Sequence, residues 1–231
     1  MFDKYGIVAS FDKGLSEGRR LTDPFLLYDF SPWSPYVYEL ILKYLPDESL
    51  YFPLEHPDAK RPDGKFARTR WPLQKHRIQS LAPEQREFWE EMYQVLRSKE
   101  LRDVFMKWLE PTLVKRFKCP VSEIPAFPAP QLLRDTYGYK INPHADTDAK
   151  VITTQWYLPP SAGQSHLGTR IHRKLGSGHF EEVGQVKFLP NTGYAFGVTN
   201  DSFHSVASMV PEDGVRNSLM LFYYKDDITP P

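Results

Sequence analysis

The second half of the chain constrains the fold most. After Pro120, strand-like segments follow one another without a helical interlude, at 132–141, 151–158, 168–175, 184–190, 193–198, 204–210 and 218–224. They are rich in β-branched and aromatic residues. Gly, Pro and Asn separate them, as in Pro190-Asn191-Thr192-Gly193, which reads as a hairpin turn. Short strands this close together have no crossover helices to build a parallel sheet, so they indicate a barrel or a jelly roll.

Up to about Phe117 the readable signals are helical. Ser34-Pro35 opens a helix over YVYELILKYL, with serine as N-cap and proline at the first helical position. Residues 45–73 carry Pro46, Pro53, Pro57, Pro62 and Pro72 among charges and read as extended loop. Ala82-Pro83 starts a stretch with Phe88, Met92, Val95 and Leu96 at helical spacing. Leu101, Val104, Phe105 and Trp108 continue the pattern until Pro111, which is expected to end or kink the helix. These aromatic stripes are packing faces that buttress a sheet.

The bulk numbers exclude several classes. Lys and Arg total 29 and Asp and Glu total 29, so no net field recruits nucleic acid or an anionic membrane. No apolar run approaches the ~20 residues that span a bilayer. The single cysteine, Cys119, rules out an internal disulfide framework and fits a reducing compartment. With an N-terminus that lacks a secretory pattern, the expectation is a cytoplasmic protein without nucleic-acid or membrane partners.

The chemistry concentrates in His144-Ala145-Asp146, with His204 and Arg216 further on. Residues two apart on a strand share a face, so His144 and Asp146 reach one ion together. His204, from a distant strand, completes a facial set of three with open positions opposite. Two histidines and one carboxylate are the ligand set of non-haem Fe(II) oxygenases, whereas a structural zinc site takes four ligands, usually with cysteine. Pro143 cannot donate to a ladder, which puts the first ligand at a strand edge or start. His56 and His76 lie in loop or helical territory, and His166 and His172 have no carboxylate two residues away; these four and His179 read as solvated or structural.

Residues 132–224 resemble the Fe(II)/2-oxoglutarate-dependent dioxygenase superfamily, in particular its prolyl-hydroxylase-like branch. The resemblance is carried by Tyr139, His144-Ala145-Asp146, the strand VITTQWYL, Gly168-Thr169, Phe188-Leu189-Pro190, Phe203-His204-Ser205-Val206 and Arg216-Asn217-Ser218. It implies a double-stranded β-helix (jelly-roll) core, mainly β with α. One domain spans 1–231, with 1–120 as helical and loop-rich support and 121–231 as the core bearing the metal site. His144, Asp146 and His204 would be the catalytic iron ligands. Arg216 would hold the distal carboxylate of 2-oxoglutarate in a bidentate fork, aided by Ser218 and Tyr157. Tyr139 is a lesser pocket candidate, and Trp156 is better read as packing. Oxidative decarboxylation of 2-oxoglutarate by O2 would yield succinate and CO2 while a substrate is hydroxylated. Asp146 favours this over halogenation, for which relatives carry a small residue there. Between His204 and Arg216, Pro211-Glu212-Asp213-Gly214 adds a turn-like insertion.

A small-molecule substrate is the first expectation and a protein or peptide prolyl-type hydroxylase the alternative. A non-catalytic or 2-oxoglutarate-independent, cupin-like metal-binding protein is the reading from another class. Loops 159–167 and 174–184, with Ser165, His166, Arg173, Lys174, His179, Glu181 and Glu182, are expected to border the mouth.

Overall fold

The computed structural model of the protein describes residues 3–55, 60–61 and 63–227. His56, Pro57 and Pro62 of the expected loop lie outside the described residues. Two antiparallel sheets face each other. After Pro120 the chain forms β5 (Phe127–Asp135), β6 (Ile141–His144), β7 (Lys150–Tyr157), β8 (Thr169–Lys174), β9 (Phe180–Val186), β10 (Gly193–Gly197), β11 (His204–Val206) and β12 (Arg216–Tyr224). The minor sheet has the order β6-β11-β8-β9. The major sheet also takes β1 (Arg19–Leu21), β2 (Leu27–Phe30), β3 (Phe52–Pro53) and β4 (Arg68–Pro72), in the order β1-β2-β10-β7-β12-β5-β4-β3. The core is a jelly roll.

The helical reading of the first half is therefore incomplete. Segments of two to five residues from that half extend the major sheet at both edges. They are too short to show alternation, and two of them, β2 and β4, owe their place to pairing with β10 and β5 of the second half. The Pro190–Gly193 turn is also not a hairpin: β9 pairs with β8, whereas β10 pairs with β7 and β2, so the chain changes sheets there. Asn191 takes a φ of 54°, a left-handed conformation that asparagine tolerates. Its amide bridges Trp33, accepting from the backbone N–H at 3.1 Å and donating to the carbonyl at 2.6 Å.

Helices α1 (Lys4–Glu17), α2 (Pro35–Lys43), α3 (Lys75–Gln79), α4 (Pro83–Leu96) and α5 (Lys99–Phe117) accompany the sheets. Ser34 caps α2, its Oγ accepting from Val37 N–H at 3.3 Å. Helix α5 runs through Pro111 to Phe117, beyond the expected break. Pro111 is exposed, so the hydrogen bond it removes lies where solvent reaches the freed carbonyl, while Phe105, Leu109 and Leu113 hold the buried face.

Strand β7 is the pivot. Ile152, Trp156 and Leu158 lie in the core beneath the helices, where Trp156 meets Phe11 at 5.1 Å and Trp33 at 5.6 Å between ring centroids. Tyr157 faces the opposite cluster between the sheets, with Phe188, Tyr194 and Phe196. This alternation separates a helix-facing packing surface from a face turned towards the second sheet.

Candidate functional site

His144 ends β6, the edge strand of the minor sheet, and pairs directly with His204 on β11. The edge position accommodates Pro143. Asp146 lies just past the strand in the loop to β7, so a turn rather than a shared strand face brings it to the histidines. One donor atom from each of His144, Asp146 and His204 lies within 4.8 Å of the other two. Among the described residues, this is the group able to hold a metal ion.

Both histidines are oriented alike. Nδ1 of His144 donates to the Asn142 carbonyl and Nδ1 of His204 to that of Ser202, each at 3.0 Å. A carbonyl only accepts, so Nδ1 carries the proton and Nε2 keeps the lone pair that a metal needs. Burial pushes His204 down to about 4, and His144 adds to this against the pull of Asp146. Burial would raise the Asp146 carboxyl, but Lys150, His204 and the hydrogen bonds from Lys150 and Thr153 outweigh it and hold it at about 2. At neutral pH His204 is a neutral imidazole and Asp146 a carboxylate, the protonation states that divalent iron requires of such ligands. The residues fit the ion.

The ligands line a cavity of about 300 Å³ that also reaches Arg68, Tyr139, Gln155, Thr169 and Tyr194. Behind it, Arg216 on β12, Asp135 on β5 and Arg68 on β4 fall in one row across the sheet. Arg68 holds Asp135 through both oxygens, at 2.6 and 2.8 Å, and Arg216 Nη1 donates to it at 2.8 Å. Arg216 and Asp135 are wholly buried. Arg216 Nε donates to the Leu167 carbonyl at 2.7 Å, and its Nη2 is buried with no partner. Two guanidiniums thus share one carboxylate. The cluster carries one excess positive charge inside the protein.

Ser218 and Tyr157 stand one layer back. Gln155 donates to Ser218 Oγ at 2.7 Å and accepts from the Tyr194 hydroxyl at 2.8 Å, so Gln155 and Tyr194 present the polar surface to the cavity. The Tyr157 hydroxyl donates to Thr169 Oγ1 at 2.7 Å and accepts from Thr169 N–H at 2.9 Å. Burial raises its pKa, against the pull of Arg216. Tyr139 lines the cavity beneath the Arg68 guanidinium, 4.1 Å from its ring centre. Trp156 lies in the helix-side core. Of the other histidines, His166 pairs with Asp213 at 2.7 Å and His172 with Ser205 at 2.7 Å.

No family model matches the chain, and no curated protein does. Solved structures do. A Pseudomonas putida prolyl-4-hydroxylase aligns over 95% of this chain and 100% of its own, with a TM-score of 0.56 at 14% identity. The chain has the prolyl-hydroxylase fold. A Trichoplax adhaerens prolyl hydroxylase, solved with a hypoxia-inducible-factor peptide fragment, covers 96% of this chain and 90% of its own, with a TM-score of 0.56 at 9% identity. The α-ketoglutarate-dependent epimerase SnoN of nogalamycin biosynthesis matches 95% of this chain and 84% of its own, with a TM-score of 0.52 at 8% identity.

Within the prolyl-hydroxylase fold, the sequence reading missed Arg68, Asp135, Gln155, Thr169 and Tyr194. Arg68 had no visible signal, because it sits in the stretch that reads as loop. Gln155 shares the β7 face with Tyr157, and that alternation was the available clue. The mouth also differs from expectation. Loops 159–167 and 174–184 contribute nothing to the cavity lining, whereas β4, β5 and β12 do. Residues 180–184 belong to β9, and Arg173 and Glu181 pair with each other.

Proposed function

We propose that the protein is an Fe(II)- and 2-oxoglutarate-dependent dioxygenase that hydroxylates a small molecule and releases succinate and CO2. The observation that carries this is the pairing of a His144–Asp146–His204 triad with a buried cluster of net positive charge behind the same cavity. A buried charge without a counter-ion is costly, so the Arg68–Asp135–Arg216 group calls for an anion. A dicarboxylate that also reaches the triad satisfies both ends.

His144, Asp146 and His204 would hold the iron, which supplies O2 activation when 2-oxoglutarate is bound. Arg216 offers its unpartnered Nη2–H to the distal carboxylate, and Asp135 keeps the guanidinium from rotating away. Thr169, Gln155 and Tyr194 line the space between. Tyr157 and Ser218 support that surface by fixing Thr169 and Gln155. In the balanced reaction, one oxygen atom of O2 enters a substrate C–H bond and the other enters succinate as CO2 leaves.

Succinate formation with added Fe(II) and 2-oxoglutarate tests the proposal. Slow uncoupled turnover should occur without substrate and disappear in His144→Ala. The Trichoplax structure, with its bound peptide, supports side-chain hydroxylation in a peptide as a second reading. Among the described residues no helix is long and apolar enough to cross a membrane, and free Cys119 accords with a reducing cytoplasm.

A further inference from the structure

The metal cavity continues beyond the ligands along an apolar wall. Leu133, Met220 and Phe222 form a separate cluster with Tyr224 packed on it, distinct from both larger cores. Leu133 and Arg70 are direct partners across β5 and β4, and Arg70 in turn pairs with Phe52 on β3. The wall therefore ends at a cation. A second hollow, of about 530 Å³, opens there and shares Arg70, Gln131, Phe222 and Tyr224 with the metal cavity. Arg77 of α3 stands on its far side. The Arg70 and Arg77 guanidiniums lie 5.2 and 4.5 Å from the centre of the same Phe52 ring.

Two like charges gathered over one ring need a reason. Other arginines on the sheets, such as Arg19, Arg68, Arg134, Arg173 and Arg216, each face a carboxylate. Among the described residues neither Arg70 nor Arg77 does. Arg70 Nε is buried without an acceptor, and Arg77 Nε donates to Gln74 at 3.1 Å, which leaves its charge unneutralised. Burial and Asp146 raise the Tyr224 pKa while Arg70 lowers it, so this hydroxyl feels both ends of the wall.

We propose that the site takes a small amphipathic anion. Its hydrophobic body would lie on Leu133, Met220, Phe222 and Tyr224, with a carboxylate or phosphate monoester held by Arg70 and Arg77. The C–H bond to be hydroxylated would then be at the end remote from the anion. This orientation rests on the triad holding a metal; the anion subsite does not.

Three probes of matched shape test it on the full chain with 2-oxoglutarate present: 4-phenylbutyrate, 4-phenylbutyl phosphate and 4-phenylbutan-1-ol, titrated calorimetrically. At least one anion should bind about tenfold more tightly than the alcohol, equivalent to ~1.4 kcal/mol. Whichever anion binds better identifies the head group. Arg70→Gln and Arg77→Gln should each remove most of that preference, and Arg70→Lys should restore part of it. Arg77 lies on a short surface helix, so its variant stays informative if Arg70→Gln unfolds. With Mn(II) added, phenyl protons should broaden more than the methylene next to the anion. Charge preference without broadening would support the subsite while sinking the metal reading. An alcohol that binds as well as both anions, or a preference untouched by both glutamine variants, overturns the proposal.

Discussion

Replacing Arg216 by methionine separates the cost of folding from the cost of binding. The guanidinium makes two hydrogen bonds inside the protein, to Asp135 and to the Leu167 carbonyl. Removing it leaves Asp135 still gripped through both oxygens by Arg68, so no buried carboxylate is stranded. The loss is two hydrogen bonds, partly offset by an apolar side chain of similar reach, on the order of 2 kcal/mol. Asp135→Asn is the opposite case. It leaves two guanidiniums with no counter-charge and should cost about 3–5 kcal/mol. The order reverses for 2-oxoglutarate. One charge-assisted hydrogen bond in a dry site is worth ~1.5–3 kcal/mol, so Arg216→Met should weaken binding roughly ten- to hundredfold. Asp135→Asn should gain at least as much stability from the ligand as the native protein. Urea unfolding with Mn(II), with and without 2-oxoglutarate, measures both quantities in one series. If Arg216→Met were stabilised by 2-oxoglutarate as much as the native chain, the guanidinium would not be the anchor.

Three further outcomes are expected. The folded pKa of His204, about 4, lies below its ordinary 6.5, so the unfolded chain takes up that proton first. The metal-free protein should therefore be stabilised fully above pH ~6.5 and lose roughly 3 kcal/mol as pH falls towards 4. His204→Gln should flatten that part of the profile in urea titrations, and an unchanged slope would contradict it. Lys150 pairs with Asp146 and lies 3.9 Å from the Phe222 ring centre, placing a competing cation on a ligand oxygen. Lys150→Met should tighten Mn(II) binding several-fold by calorimetry, and weaker binding would show that the ammonium organises the site instead. A Cβ on Gly193 would come within 2.3 Å of the Gln155 carbonyl oxygen, against the central strand. Gly193→Ala should destabilise by more than ~1 kcal/mol in the same unfolding assay.

Much of this was legible because strand-like segments follow one another through the second half without a helical interlude. The β7 pattern alone separated Trp156, bound for the helix-side core, from Gln155 and Tyr157 on the inner face. His144, Asp146 and His204 could be read as a set from residue type and order. The strand that completes the arginine cluster could not. Arg68 lies in a proline-bounded stretch whose extended form exists only because β5 pairs with it. The Tyr157 hydroxyl illustrates a second limit: alternation gives the face of a side chain, but the bond to Thr169 depends on where the other sheet packs. The sheet change at 187–192 had the same cause, since turn chemistry does not specify which partner the next strand meets.

The most direct measurement is the visible absorption of the protein mixed anaerobically with Fe(II) and 2-oxoglutarate. A charge-transfer band should appear only when both are present. It should be absent in His204→Ala and require much higher 2-oxoglutarate in Arg216→Met. A native protein that binds ferrous ion yet develops no band at saturating 2-oxoglutarate would contradict the assignment.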